Sequence, residues 1–150
     1  MRVWVYQASR KLTAGEQAFA ADKLAAFISV WNTHGKSLAA DVEIRHGLFI
    51  ILKVDESRVA ASGCSIDSSV HFLKGLQQEL GVDLFDRFQL AYRTPEDIAV
   101  VGRQEFEQLV ASGQINSSTI VFNNLISNEE ELLNKWEVPF KDSWHARVFS

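Results

Sequence analysis

The sequence predicts an α+β protein: a ferredoxin-like β-α-β-β-α-β core over residues 1–93, with a β-α-β-α extension over residues 94–150 packed on it as one domain. Strand-type and helix-type apolar patterns alternate in that order along the core. "LFIILKV" (48–54) is apolar almost without a break, as a strand covered on both faces must be, whereas "DVEIR" (41–45) alternates as an edge strand does. No linker, repeat or low-complexity run sets the last third of the chain apart.

Each element has its own cause. "RVWVYQA" (2–8) is rich in aromatic and β-branched residues and reads as the first strand. "TAGE" is a capping box from Thr13 to Glu16, and Phe19, Leu24, Phe27, Ile28 and Trp31 then recur at helical spacing. "WNTHG" is expected to end this helix, with Gly35 left-handed. A second helix carries Ile66, Val70, Leu73, Leu76 and Leu80 on one stripe and stops at Gly81, after which "FQLAYR" supplies the fourth strand of the core. The extension reads as strand "DIAVV", helix "RQEFEQLVASG", strand "STIVFNNL", helix "NEEELLNKW" and the tail "VPFKDSWHARVF". Turn chemistry at "RTPED", "ASGQINSS" and "LISNEE" supports these breaks.

A chain of 150 residues, 47% hydrophobic and 23% charged, can bury a core without a metal or disulfide. A net charge of −4 gives no general attraction to nucleic acid or to anionic lipid. The single cysteine excludes an internal disulfide and a multi-thiolate metal site, and fits a reducing compartment. No stretch approaches the roughly 20 apolar residues that span a bilayer. A soluble cytoplasmic protein is expected. HExxH, paired-cysteine and glycine-rich nucleotide signatures are missing, so no cofactor or metal is expected.

Two strings superficially match nucleotide motifs. "GKS" (35–37) resembles the end of a Walker A loop and "FIILKVDE" (49–56) a Walker B strand. The phosphate loop needs another glycine five positions before its GK, where Val30 stands, and it must join a strand to a helix. Lys36 is therefore expected in a turn, and Asp55 and Glu56 at the polar end of a strand. "RVWVYQASR", "WNTHG", "ASGCSIDSSVHF", "TIVFNNL" and "WEVPFKDSWHAR" together resemble an uncharacterised Bacteroidetes-type bacterial family of about this length, often labelled "ABC transporter ATPase". The likeness covers nearly the whole chain and implies no catalytic residue.

The chemistry concentrates in "AASGCSIDSSVHF" (60–72). Cys64 is expected just before the second helix, where unpaired amides and the positive end of the macrodipole favour an anion or thiolate. Ser65 or Asp67 is the expected cap, and Ser62, Gly63, Ser68 and Ser69 add hydroxyls and close backbone approach. In the expected fold the first helix ends where the second begins, which brings His34, pointing inward on the first helix's stripe, to the rim that holds Cys64. His71 shares a face with Asp67, away from the apolar stripe. Elsewhere, His46 reads as a hairpin turn, Asn123 and Asn124 as turn or strand-end residues, and Trp144, His145 and Arg147 as a docked tail or an anion grip.

The leading expectation is a small-ligand or anion-binding protein, with Ser62, Gly63, Cys64, Ser65, Asp67 and Ser68 facing His34. The enzyme alternative uses Cys64 as nucleophile, His34 as its activator and Asp67 as an orienting partner. A third reading is an RRM-like RNA-binding module displaying Trp4, Tyr6 and Phe49. The fourth is a structural or interaction role, including homo-oligomerisation through an exposed sheet face.

Overall fold

All residues, 1–150, are described by a computed structural model, and the chain divides into two units, Met1–Phe85 and Asp86–Ser150. In the first unit β1 (Arg2–Gln7) leads into α1 (Ala14–Val30) and a short hairpin of β2 (Asn32–Thr33) and β3 (Lys36–Ser37); β4 (Ala39–Arg45), β5 (Phe49–Asp55) and α2 (Gly63–Leu80) follow. The sheet order is β1-β5-β4, with β5 antiparallel to both neighbours. Register places Tyr6, Ile50 and Ile44 in one row and Trp4, Leu52 and Val42 in the next row on the same face. That face packs on the helices through Leu24, Leu73, Leu76 and Leu80. Each such side chain, fully buried, contributes on the order of 1.5–3 kcal/mol. Both faces of β5 are covered: Phe49 and Ile51 are as inaccessible as Ile50 and Leu52.

α1 starts as the sequence dictates. Thr13 Oγ1 accepts from the Glu16 amide at 3.2 Å, and Glu16 Oε1 accepts from the Thr13 amide at 2.9 Å. Arg10 adds two hydrogen bonds to the same carboxylate, at 2.9 and 2.8 Å, which helps hold the Glu16 pKa down to about 2.

The second unit holds β6 (Leu90–Arg93), β7 (Ile98–Val101), α3 (Arg103–Ser112), β8 (Ile120–Phe122), α4 (Glu129–Asn134), β9 (Glu137–Pro139), a 3-10 turn (Phe140–Asp142) and α5 (Trp144–Phe149). Its sheet runs β7-β6-β8-β9, antiparallel throughout. Phe106 sits fully buried in its core, with ring centroids of Phe149 at 4.8 Å, His145 at 5.8 Å and Phe140 at 6.3 Å. No helix of either unit is long and apolar enough to cross a membrane.

Four expectations need correction. The strand at 90–93 does not complete the first sheet; it pairs with β7 and β8, because two adjacent strands of the following segment offer it antiparallel ladders. α1 ends at Val30, so His34 does not extend its stripe. The inward stripe of α2 runs through Ser65, Ser69, Leu73, Leu76 and Leu80, while Ile66 and Val70 are half-buried. Serines are accommodated there because Ser69 Oγ donates to Ile66 O at 2.6 Å and Ser65 Oγ to Ser62 O at 2.8 Å, leaving no hydroxyl unpaired. The RRM-like platform is not formed either: Trp4 and Tyr6 pack towards the helices, and Phe49 lies on the opposite face of the sheet with no exposure.

Candidate functional site

Where α1 stops, the backbone of Trp31 turns extended and its indole turns inward, leaving the residue 3% exposed. Its Nε1 donates to Ser65 O in the first turn of α2, at 2.8 Å. The next residues form a tight hairpin: Thr33 pairs with Lys36, and the two residues between them, His34 at φ 50° and Gly35 at φ 80°, have the positive dihedrals of a type I′ turn. Gly35 thus serves a hairpin and not the helix end. Leu38 N donates to Trp31 O at 3.1 Å and closes the excursion.

The start of α2 is built from serines. Ser62, not Ser65 or Asp67, is the N-cap: its Oγ accepts from Ser65 N at 3.2 Å, and Ser65 Oγ accepts from Ser62 N at 2.8 Å. Thr33 Oγ1 donates to the same Ser62 oxygen at 2.6 Å. With the Trp31 bond, this ties the end of α1 and its hairpin to the start of α2. Helix geometry leaves the first amides without partners one turn earlier, and the box satisfies those of Ser62 and Ser65. The amides of Gly63 and Cys64 make no hydrogen bond, at the positive end of an 18-residue helix.

The two termini enclose an open cleft of about 300 Å³. Phe27, Val30 and Trp31 supply its apolar wall, Asn32, Thr33 and His34 the hairpin side, and Cys64, Ser65 and Ser68 the α2 side. The Phe27 ring is braced by Phe72 at 4.5 Å and by Trp31 at 5.3 Å between centroids. His34 and Cys64 are both exposed. The expected meeting of His34 and Cys64 at one rim is therefore present, although His34 arrives on a hairpin and not on a helix.

Of the other expected members Ser68 lines the cleft, whereas Ser62 and Gly63 do not. Ser62 spends its hydroxyl on the cap and on Thr33, and Ser68 Oγ donates to Ser65 O at 2.9 Å. Asp67 is exposed in the second turn and does not line the cleft. No ion pair joins it to His71, which is likewise exposed. No group of His, Cys, Asp and Glu could hold a metal ion. Lys36 is an exposed hairpin residue, Asp55 accepts from Ser57 N at 3.0 Å, and Glu56 accepts from Ala61 N at 2.8 Å. His46 occupies a turn at φ 60°.

In the second unit, Asn124 Oδ1 accepts from Trp136 Nε1 at 2.9 Å and Asn123 Oδ1 from Leu125 N at 3.2 Å, both structural duties. Trp144 and His145 dock into that unit's core, as the tail reading anticipates. Burial lowers the His145 pKa to about 4.

Sequence reasoning missed Phe27, Val30, Trp31, Asn32 and Thr33 as cleft residues. The signal for the last two was "NTHGK", where a residue that tolerates a positive φ precedes Gly as in a two-residue hairpin loop. No protein-family model, no curated protein and no solved structure matches this chain significantly.

Proposed function

We propose that this protein binds a small anionic molecule bearing an apolar group, in the cleft between the end of α1 and the start of α2. One observation carries the reading: His34 and Cys64, thirty positions apart in the sequence, line one cleft whose wall is aromatic. The Cys64 amide at the helix start suits a carboxylate or phosphate, and Phe27, Val30 and Trp31 suit a ring or alkyl group. A single free thiol supports a reducing, cytoplasmic setting. The 1-3-2 strand order with both helices packed on one face supports a ferredoxin-like reading of the first unit, its fourth strand diverted to the second sheet.

The test uses phenyl phosphate, benzoate and inorganic phosphate as probes, followed by amide and indole NMR. Phenyl phosphate is expected to shift Gly63, Cys64 and the Trp31 indole together. Val30→Asp places a carboxylate on the cleft wall at an exposed residue, so the fold should persist while affinity for the anionic probe falls about tenfold, roughly 1.4 kcal/mol. Shifts confined to other residues, or unaltered affinity in Val30→Asp, overturn the reading.

A second reading rests on the exposure of Cys64 in the first turn of α2, beside His34 in the cleft: Cys64 as a nucleophile assisted by His34. Iodoacetamide alkylation across pH distinguishes it. A thiol that reacts no faster than free cysteine removes this reading and leaves the binding site intact.

A further inference from the structure

The outer edge of the first sheet carries a second feature, independent of the cleft. β4 has a strand partner on one side only, β5. Val42 N donates to the carboxylate of its own neighbour, Asp41 Oδ1, at 2.9 Å, so that amide points away from β5. Alternation along an antiparallel strand turns the backbone groups of Ala40 and Ile44 outward as well. Beyond the ladder to β5 and the two bonds that Glu43 accepts from Arg45, residues 39–44 make no further hydrogen bond.

Beside this edge runs a groove of about 480 Å³, between β4 and α1. Ala18, Ala21 and Ala25 line the helix side, and their small side chains keep the channel open; Ile28, Val42 and Ile44 make it apolar. An edge strand with an apolar channel and a helix alongside it is the geometry in which an extended peptide adds as a new strand, every second side chain entering the channel.

Charge selects among occupants. Asp41 is exposed and has no cationic partner, whereas Glu43 is neutralised by Arg45 Nη2 at 2.6 Å and Lys53 Nζ at 3.7 Å. Asp22, one position after Ala21 and adjacent to Ala18 and Ala25 on the helical wheel, is also exposed and unpaired. Two carboxylates without counterions therefore flank the channel. A second copy of the chain fits poorly: antiparallel pairing of β4 with itself about Val42 sets Asp41 against Glu43 and brings it no free cation, because Arg45 and Lys53 already bind Glu43.

We propose that β4 and α1 form a strand-addition site for an extended basic peptide segment, with small apolar side chains in the channel and Lys or Arg side chains against Asp41 and Asp22. Asp41 caps the Val42 amide while the edge is empty, and it is the group an incoming cation would draw away.

The experiment uses the full chain and two labelled, end-capped nine-residue peptides, one alternating Lys with Val and one alternating Glu with Val. The basic peptide is expected to bind, more weakly as salt rises, and to slow hydrogen exchange at Ala40, Val42 and Ile44; the acidic one is not. Ala40→Pro removes one outward donor without touching the ladder to β5, and should weaken binding about tenfold with thermal stability nearly kept. Asp41→Lys, remote from the core, should do the same and lose the salt dependence. Equal binding of both peptides, protection confined to other strands, or a concentration-dependent dimer protecting these same amides each overturns the proposal. No binding of the basic peptide at millimolar concentration overturns it as well.

Discussion

Replacing His145 isolates the acid sensitivity of the second unit. The imidazole is 1% exposed, stacked on Trp144 at 3.9 Å and 5.8 Å from Phe106, with Nδ1 2.6 Å from Ser143 Oγ. Burial opposes the charged ring, so its pKa falls from 6.5 to about 4. Between those values the unfolded chain holds a proton that the folded one does not, and stability therefore rises with pH. It is complete above pH 6.5, declines as pH falls towards 4, and levels off below. Each tenfold in proton affinity is about 1.4 kcal/mol, which places the loss at about 3 kcal/mol at most. His145→Phe keeps an aromatic of similar size and removes the titration, at the expense of the Ser143 bond. Urea unfolding at pH 4 to 7 should show the slope in wild type and its absence in the variant. The indole resonances of Trp136 and Trp144 follow the second unit, and those of Trp4 and Trp31 the first. The same pH slope in both proteins would refute the reasoning, as would a slope seen only in the first unit's indoles.

Three further outcomes follow from local geometry. Trp31→Phe keeps a ring at the cleft wall and removes the 2.8 Å donor to Ser65 O, which still accepts from Ser68 Oγ, and should cost about 0.5–1.5 kcal/mol by urea midpoint. Gly35→Ala meets no steric obstacle, so its cost, about 1 kcal/mol in thermal denaturation, measures the left-handed backbone alone; Gly35→Asn should cost less. Glu16→Gln removes a carboxylate whose pKa is held to about 2, so the stability advantage of wild type should be present above pH 4.5 and vanish as pH approaches 2.

How much was legible depended on whether a segment carried its own instructions. The α1 start was readable because Thr13 and Glu16 form the strong version of the capping box, and β5 because an unbroken apolar run leaves few alternatives. Ser62 was overlooked as a cap because its reciprocal partner is Ser65, a shorter side chain than the Glu or Gln that marks the motif. "LAYR" is a strand in sequence and in structure, but four residues do not encode which sheet they join; the nearby strands β7 and β8 decide it. The meeting of His34 and Cys64 was deducible from the antiparallel path of two helices. The hairpin that carries His34 was not, because "WNTHG" also has the residues that end a helix. Asp67 was misplaced for a related reason: α2 begins at Gly63, so position 67 has already rotated off the end that faces the cleft.

The site itself is tested most directly by a crystal of this protein soaked with phenyl phosphate. Density for the phosphate against the Cys64 amide, with the ring against Phe27 and Trp31 and His34 closing the hairpin side, is the expected result. An empty cleft at saturating probe, or the probe ordered elsewhere on the molecule, would contradict it.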